Sequence, residues 1–246
     1  MRIKFFALFV LCFLLYSTVF ADDLSVDTLT VKPNYTRFIF PSALISYGIA
    51  TRLISGLQDF DHNLQDDIQK HVSRKYIFDD YLRFAPYVGI YAFDWMGVKA
   101  KNNFRDRTIV TATSLLLTTG LTYAGKSTLL VRRPDDSESN SFPSGHTSTA
   151  FTGAHILFHE YRDYPWIYIA GYAAATITGG MRMVNNRHWF SDVITGAGVG
   201  ILSVEASYLL LPPIQRFFGI KNETKSLTAV PVVGNKYWGI GVAYVF

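Results

Sequence analysis

The chain carries a single cysteine, Cys12, in 246 residues, and it lies inside an N-terminal apolar run, "FFALFVLCFLLYSTVF". Everything downstream is therefore without a disulfide framework, thiolate chemistry or a cysteine-held metal. Charge is scarce as well. Asp, Glu, Lys and Arg make up 17% of the chain, against roughly a quarter in a typical soluble domain. The formal charge is only +4, with no run of Lys or Arg, so the footprint of a nucleic-acid-binding protein is missing. Internal repeats and low-complexity tracts are also absent. What is abundant is apolar surface: 49% of residues are hydrophobic and 15% aromatic, which suits a large core or a membrane interface.

The N-terminus reads as a targeting segment. Arg2 and Lys4 precede the apolar run, and Val19-Phe20-Ala21 ends it on a small residue before Asp22-Asp23. This predicts a secretory signal, residues 1–21, cleaved after Ala21; the alternative reading is an uncleaved anchor helix. Its removal leaves 21 basic against 19 acidic residues. An exported chain without disulfides relies on its core or on a membrane for stability.

The remaining pattern is helical. Apolar stretches at 41–56, 81–98, 108–125, 147–161, 164–181 and 189–211 read as six helices, the last ended by Pro212-Pro213. Between the first two, residues 57–75 read as an exposed amphipathic helix. Residues 99–107, "KAKNNFRDR", form a basic connection. Near the end the period changes, and "LTAVPVV" and "YWGIGVAYVF" about "GNK" predict a small β-hairpin. The spans 108–125 and 164–181 approach the roughly 20 apolar residues that cross a bilayer, yet the same stretches fit buried core helices.

Three clusters carry chemistry. The third, "RMVNNRHWFSD", places His188 and Asp192 four residues apart at a helix start, on one face. A carboxylate there can accept a hydrogen bond from one imidazole nitrogen and leave the other free to attack. The first cluster, "KSTLLVRRP", and Arg182 of the third contribute three cations, Lys126, Arg133 and Arg182, at one predicted end of the bundle. Three fixed cations suit a phosphoryl group, whose oxygens carry the transition-state charge. In the second, "PSGH", Ser144 and Gly145 let backbone N–H groups and a hydroxyl approach an anion, and His146 can protonate a leaving oxygen. Each cluster alone has a plainer reading as a helix cap or a basic bundle end; their co-occurrence favours the chemical one. Arg132 and Arg187 read as bystanders. His155 and His159 are also four apart on a helix, but with no third ligand in the sequence pattern they read as packing residues.

"K-x6-RP", "PSGH" and "R-x5-H-x3-D", in that order, resemble the three-part signature of the type 2 phosphatidic acid phosphatase and vanadium haloperoxidase superfamily. The likeness runs from Lys126 to Asp192, within a helical core over most of residues 40–211. It implies an all-α fold: a six-helix core bundle over residues 40–215, preceded by a lead-in at 22–39 and followed by a tail at 216–246 that holds the hairpin. It implies a phosphatase needing neither metal nor cofactor, with His188 as a nucleophile forming a phosphohistidine, Asp192 orienting it and His146 as general acid. Lys126, Arg133, Ser144, Gly145 and Arg182 are the implied phosphate ligands. Met181 stands where the family pattern has a serine. The wording around the motifs looks like exported Gram-negative members, some of which act on lipid A or undecaprenyl pyrophosphate. The implied partners are a lipid phosphate substrate and a membrane surface or bilayer, at the periplasmic side. The rivals are a soluble broad-specificity acid phosphatase and a vanadate-dependent haloperoxidase. The lipid and the oligomeric state are not readable from these residues.

Overall fold

The computed structural model describes residues 35–72, 76–220, 226–234 and 237–245. The expected signal segment, 1–21, and most of the lead-in lie outside these residues. A 3-10 turn, Tyr35–Phe38, leads into α1 (Ile39–Thr51), α2 (Ser55–His71), α3 (Asp79–Leu82), α4 (Ala85–Trp95), α5 (Phe104–Leu129), α6 (Gly145–Glu160), α7 (Pro165–Val184) and α8 (Phe190–Phe217). The chain divides into two units, one to Leu209 and one from Leu210. The first is an all-α bundle.

Local chemistry sets the helix boundaries. Asn103 caps α5, its side chain accepting the Asp106 N–H at 2.8 Å, and Leu130 ends it in the left-handed region with φ 45°. Pro165 opens α7 and Pro86 lies in the first turn of α4, where a missing N–H costs nothing. That proline also explains why the expected helix over 81–98 is two pieces, α3 and α4. α8 continues through Pro212 and Pro213 to Phe217, past the end expected from the sequence. Proline's fixed φ is itself helical, so the helix can continue although each ring removes an N–H bond and crowds the carbonyl four residues back. Beyond it, β1 (Ser226–Gly234) and β2 (Tyr237–Val245) pair antiparallel, from Ser226 opposite Val245 to Gly234 opposite Tyr237.

α2 differs from its expectation as an exposed helix. It meets α1 at a bend of 94°, and its inner face carries Asp61 and Gln65, both buried. Gln65 Nε2 donates to the Met183 carbonyl at 2.9 Å, so a polar seam joins α2 to the end of α7.

The core of the first unit has one cluster around Ile90, Ile156, Leu157, Tyr161, Ile167 and Val204, and another around Ile45, Leu121, Val199 and Leu202. α6 and α8 approach backbone to backbone. A Cβ at Gly196 would stand 2.7 Å from the Ser144 carbonyl oxygen, and one at Gly200 2.5 Å from that of Ser148 and 2.9 Å from Thr152 N. Four apart, these glycines form one small-residue face. We expect Gly200→Ala to destabilise the fold by about 1–2 kcal/mol. The helix-propensity gain, up to about 1 kcal/mol, is smaller than the cost of forcing two backbones apart, roughly 1–3 kcal/mol. A thermal melt followed by circular dichroism checks this; an unchanged or raised midpoint contradicts it.

Among the described residues, α8 is the one single helix long and apolar enough to cross a membrane, and most of it is buried in the bundle; α1 and α2 meet the same test only as a bent pair. Large apolar side chains nonetheless face outward, including Leu116 and Tyr123 on α5 and Trp166, Ile169 and Ile177 on α7.

Candidate active site

The N-terminal ends of α6 and α8 lie side by side, and the backbone ties them: Ser144 N donates to the Asp192 carbonyl at 3.0 Å. Onto this junction converge the end of α5, the 130–144 loop, the end of α7 and the short α3.

His188 and Trp189 precede α8. Trp189 N donates to Asp192 Oδ2 at 2.9 Å, the backbone half of a capping box. His188 is 2% exposed and Asp192 fully buried. The two share a face as the spacing predicts, but the expected direct hydrogen bond is not formed: His188 Nδ1 is 3.8 Å from Asp192 Oδ2. Ser141 stands between them, 2.5 Å from Asp192 Oδ2 and 3.3 Å from His188 Nδ1. A hydroxyl has one hydrogen and two lone pairs. Given to the carboxylate, that hydrogen leaves a lone pair for Nδ1–H. The relay runs from Nδ1–H through Ser141 to Asp192 and leaves the Nε2 lone pair free, the tautomer being assigned from this network. The cap explains the gap, because Asp192 Oδ2 is drawn to the Trp189 amide.

Asp192 Oδ1 accepts no hydrogen bond, but Arg52 Nη2 stands 3.6 Å away. Arg52 also donates to Ser191 Oγ and reaches Asp61 Oδ2 at 3.3 Å. Asp61 in turn accepts from Ser191 N at 3.2 Å. The corner between α1 and α2 thus braces the carboxylate. Sequence reasoning missed Arg52, Asp61 and Ser141; the available signal was Arg52, the one charge in the otherwise apolar stretch 41–56.

The three expected cations reach the same end, each with a local partner. Lys126 Nζ donates to the Asn140 carbonyl. Arg133 Nε and Nη2 donate to Asn140 Oδ1 at 3.0 and 2.8 Å, and Glu138 lies 3.3 Å away. Arg182, 8% exposed, bonds Asp79 Oδ2 at 2.7 Å while its Nε has no partner. Burial, and secondly the Arg133 charge, pull the Lys126 ammonium down to about 8. The bystanders stay outside, Arg132 paired with Asp136 at 2.6 Å and Arg187 with Asp135 at 3.1 Å.

His146 lies in the first turn of α6, its Nε2 2.6 Å from Asp80 Oδ1. Gly145 opens the helix, where first-turn N–H groups have no intrahelical acceptor. Ser144 is placed differently from a phosphate-facing residue with a free amide. It is fully buried, its amide is tied to Asp192, and its hydroxyl accepts from Thr147 Oγ1 at 2.9 Å. Asp79 and Asp80, on α3, were also missed by the sequence reading. Asp79 is buried against Arg182 and Asn185, and the two carboxylates face the cations like stand-ins for an anion.

Burial first, with the Lys126 and Arg182 charges, outweighs Asp192 and lowers His188 to about 4. Burial and Arg182 likewise outweigh Asp80 and lower His146 to about 4. Both imidazoles are neutral at pH 7, the form in which Nε2 of His188 is nucleophilic. With both values below the ordinary 6.5, the unfolded chain binds more protons than the folded one between about pH 4 and 6.5. Stability therefore falls as pH drops through that window. Thermal midpoints between pH 7 and 4.5 check this, and His188→Gln should flatten the slope.

Comparison with known proteins places the segment. Residues 118–216 match the model of the PAP2 superfamily. A lipid A 1-phosphatase of Porphyromonas gingivalis is 40% identical over 132 residues, covering 53% of this chain and 30% of that protein. The chain thus spans less than a third of this relative's length. Two solved structures are similar at low identity. Aquifex aeolicus LpxE has a TM-score of 0.45 and 22% identity over 59% of this chain and 93% of the other. A transmembrane PAP2 type phosphatidylglycerolphosphate phosphatase from Bacillus subtilis has 0.46 and 19%, over 77% and 99%.

Proposed function

We propose, from a chain whose residues 118–216 match the model of the PAP2 superfamily, that it is a membrane-associated lipid phosphatase working through a phosphohistidine on His188. The observation that carries this reading is a buried histidine with Nδ1 engaged and Nε2 free, at the end of the bundle where Lys126 and Arg182 occupy the last turns of α5 and α7 and Arg133 the loop after α5. Binding an anion needs the cations; it does not need a nucleophile.

In this reading the substrate phosphate displaces Asp79 and Asp80 from Arg182 and His146. Lys126, Arg133, Arg182 and the first-turn amides of α6, those of Gly145 and His146, hold its oxygens. The His188 Nε2 lone pair attacks phosphorus and the P–O bond to the lipid breaks. The bound phosphate's negative charge favours protonated His146, which gives its proton to the departing oxygen. Water then attacks the phosphohistidine, His146 takes the water's proton, and phosphate leaves with His188 restored. Ser141 and Asp192 hold the ring and stabilise its positive charge at the first transition state. The chemistry supplied by these residues needs no metal.

The exposed apolar side chains on α5 and α7 support contact with a lipid surface. The substrate class follows from that surface, and the Porphyromonas relative makes a lipid A-type 1-phosphate the first choice, before undecaprenyl pyrophosphate or phosphatidic acid. With the expected signal segment, the site works at the periplasmic side. The test is phosphate release from these three lipids and a small soluble phosphoester, with chelator present. Release from a lipid in preference to the soluble ester is the expected result. A preference for the soluble ester indicates a soluble acid phosphatase, and no release from any substrate overturns the reading.

A further inference from the structure

About nine residues along α6 from His146, some 13 Å by helix rise, a second constellation plays no part in this chemistry. His155 and His159 project from one face of α6, and both Nε2 atoms converge on a single oxygen, Oε1 of Glu205 on α8, at 2.8 and 2.9 Å. His155 and Glu205 are buried at 7% and 3% exposure. The ligand-type atoms of all three lie within 4.8 Å of one another. The close approach of α6 and α8 at Gly196 and Gly200 supplies the third group that the sequence pattern lacked.

We propose that His155, His159 and Glu205 form a binding site for one zinc-class divalent ion that clamps α6 to α8. Two imidazoles at i, i+4 with a carboxylate from a facing helix are the donor set of a three-ligand zinc site. Tetrahedral bonds of about 2.0–2.1 Å place donor atoms roughly 3.3–3.5 Å apart. Each present contact therefore opens by about half an ångström, within reach of side-chain rotation. Nε2 becomes a ligand when its proton moves to Nδ1. For His155 the acceptor of that proton is in place: Tyr172 Oη lies 2.5 Å from Nδ1, the outer contact that orients metal-binding histidines. The carboxylate's other oxygen, Oε2, is buried and accepts no hydrogen bond. Arg37, 3.4 Å from it, balances the carboxylate without occupying Oε1.

The experiment uses full-length protein purified in detergent, stripped with chelator, then titrated with zinc chloride. Metal content and the melting midpoint are both read. One zinc per chain is expected, with a rise of roughly 5–10 °C at a hundred-fold excess over Kd, and cobalt in its place should show four-coordinate d–d bands. His159→Gln and Glu205→Gln should each lose the metal and the shift, while Asp80→Asn, at the other histidine–carboxylate cluster, keeps both. Wild type with no stoichiometric zinc overturns the proposal whatever the variants do. So does zinc that survives His159→Gln and Glu205→Gln but disappears with Asp80→Asn. Turnover is not the readout, so failure here and failure of the phosphatase reading are separable.

Discussion

Replacing His188 with alanine is expected to lower phosphate release by roughly 10,000-fold or more, the scale on which loss of a covalent nucleophile is felt. No neighbour can substitute. Ser141, the nearest hydroxyl, is committed to Asp192, and His146 is occupied at the departing oxygen. The alanine removes a buried ring, so folding must be read beside activity. Lys126, Arg133 and Arg182 remain, and the variant should still bind substrate with an affinity close to wild type. A variant that melts normally, binds the lipid and still releases phosphate within about ten-fold of wild type would remove His188 from the mechanism.

His146→Ala should show the second-largest effect, and its size should depend on the leaving group. General acid catalysis contributes roughly 100- to 10,000-fold, and only where the departing oxygen needs a proton. Phosphate release from a lipid alcohol should fall by that amount. An aryl phosphate with an acidic phenol leaves without help, and its breakdown should fall by less than about ten-fold. Equal losses on both substrates would mean that His146 binds phosphate rather than protonating the product. Asp80→Asn adds a separate readout. Asp80 opposes the burial that lowers His146, so the asparagine should move the His146 titration further down.

Much of this geometry is legible in the sequence because it is local. The spacing of His188 and Asp192 puts both at one helix start, and the order of Lys126, Arg133, His146 and Arg182 puts them at alternate ends of consecutive helices. Helices α5 to α8 follow from largely apolar runs whose ends carry Asn103, Pro165 or a polar turn. The unread parts depend on long-range packing. Ser141 is 47 residues from His188 and 51 from Asp192 in sequence, and nothing in "SNSFPSGH" marks its hydroxyl as the bridge. Arg52 reads as an interruption of an apolar stretch and Asp61 as part of an exposed amphipathic helix, because their partner, Ser191, is 130 residues or more away. Asp79 and Asp80 read as the start of a helix, and only the fold sets them against Arg182 and His146. Glu205 reads as a blemish in an apolar helix until α6 supplies His155 and His159. In each case the polar group's role is hidden locally because its counterpart lies on another helix.

The account rests on a covalent bond between His188 and phosphorus. The most direct test is to mix the protein with a lipid phosphate substrate, quench in base within the first turnovers, and map the phosphoryl group by mass spectrometry. The account predicts an acid-labile phosphoryl group on His188 in the wild-type protein, absent from His188→Ala and more abundant when His146 is replaced and an aryl phosphate is the substrate. Steady phosphate release with no phosphoprotein at any quench time, or a phosphoryl group on another residue, would contradict it.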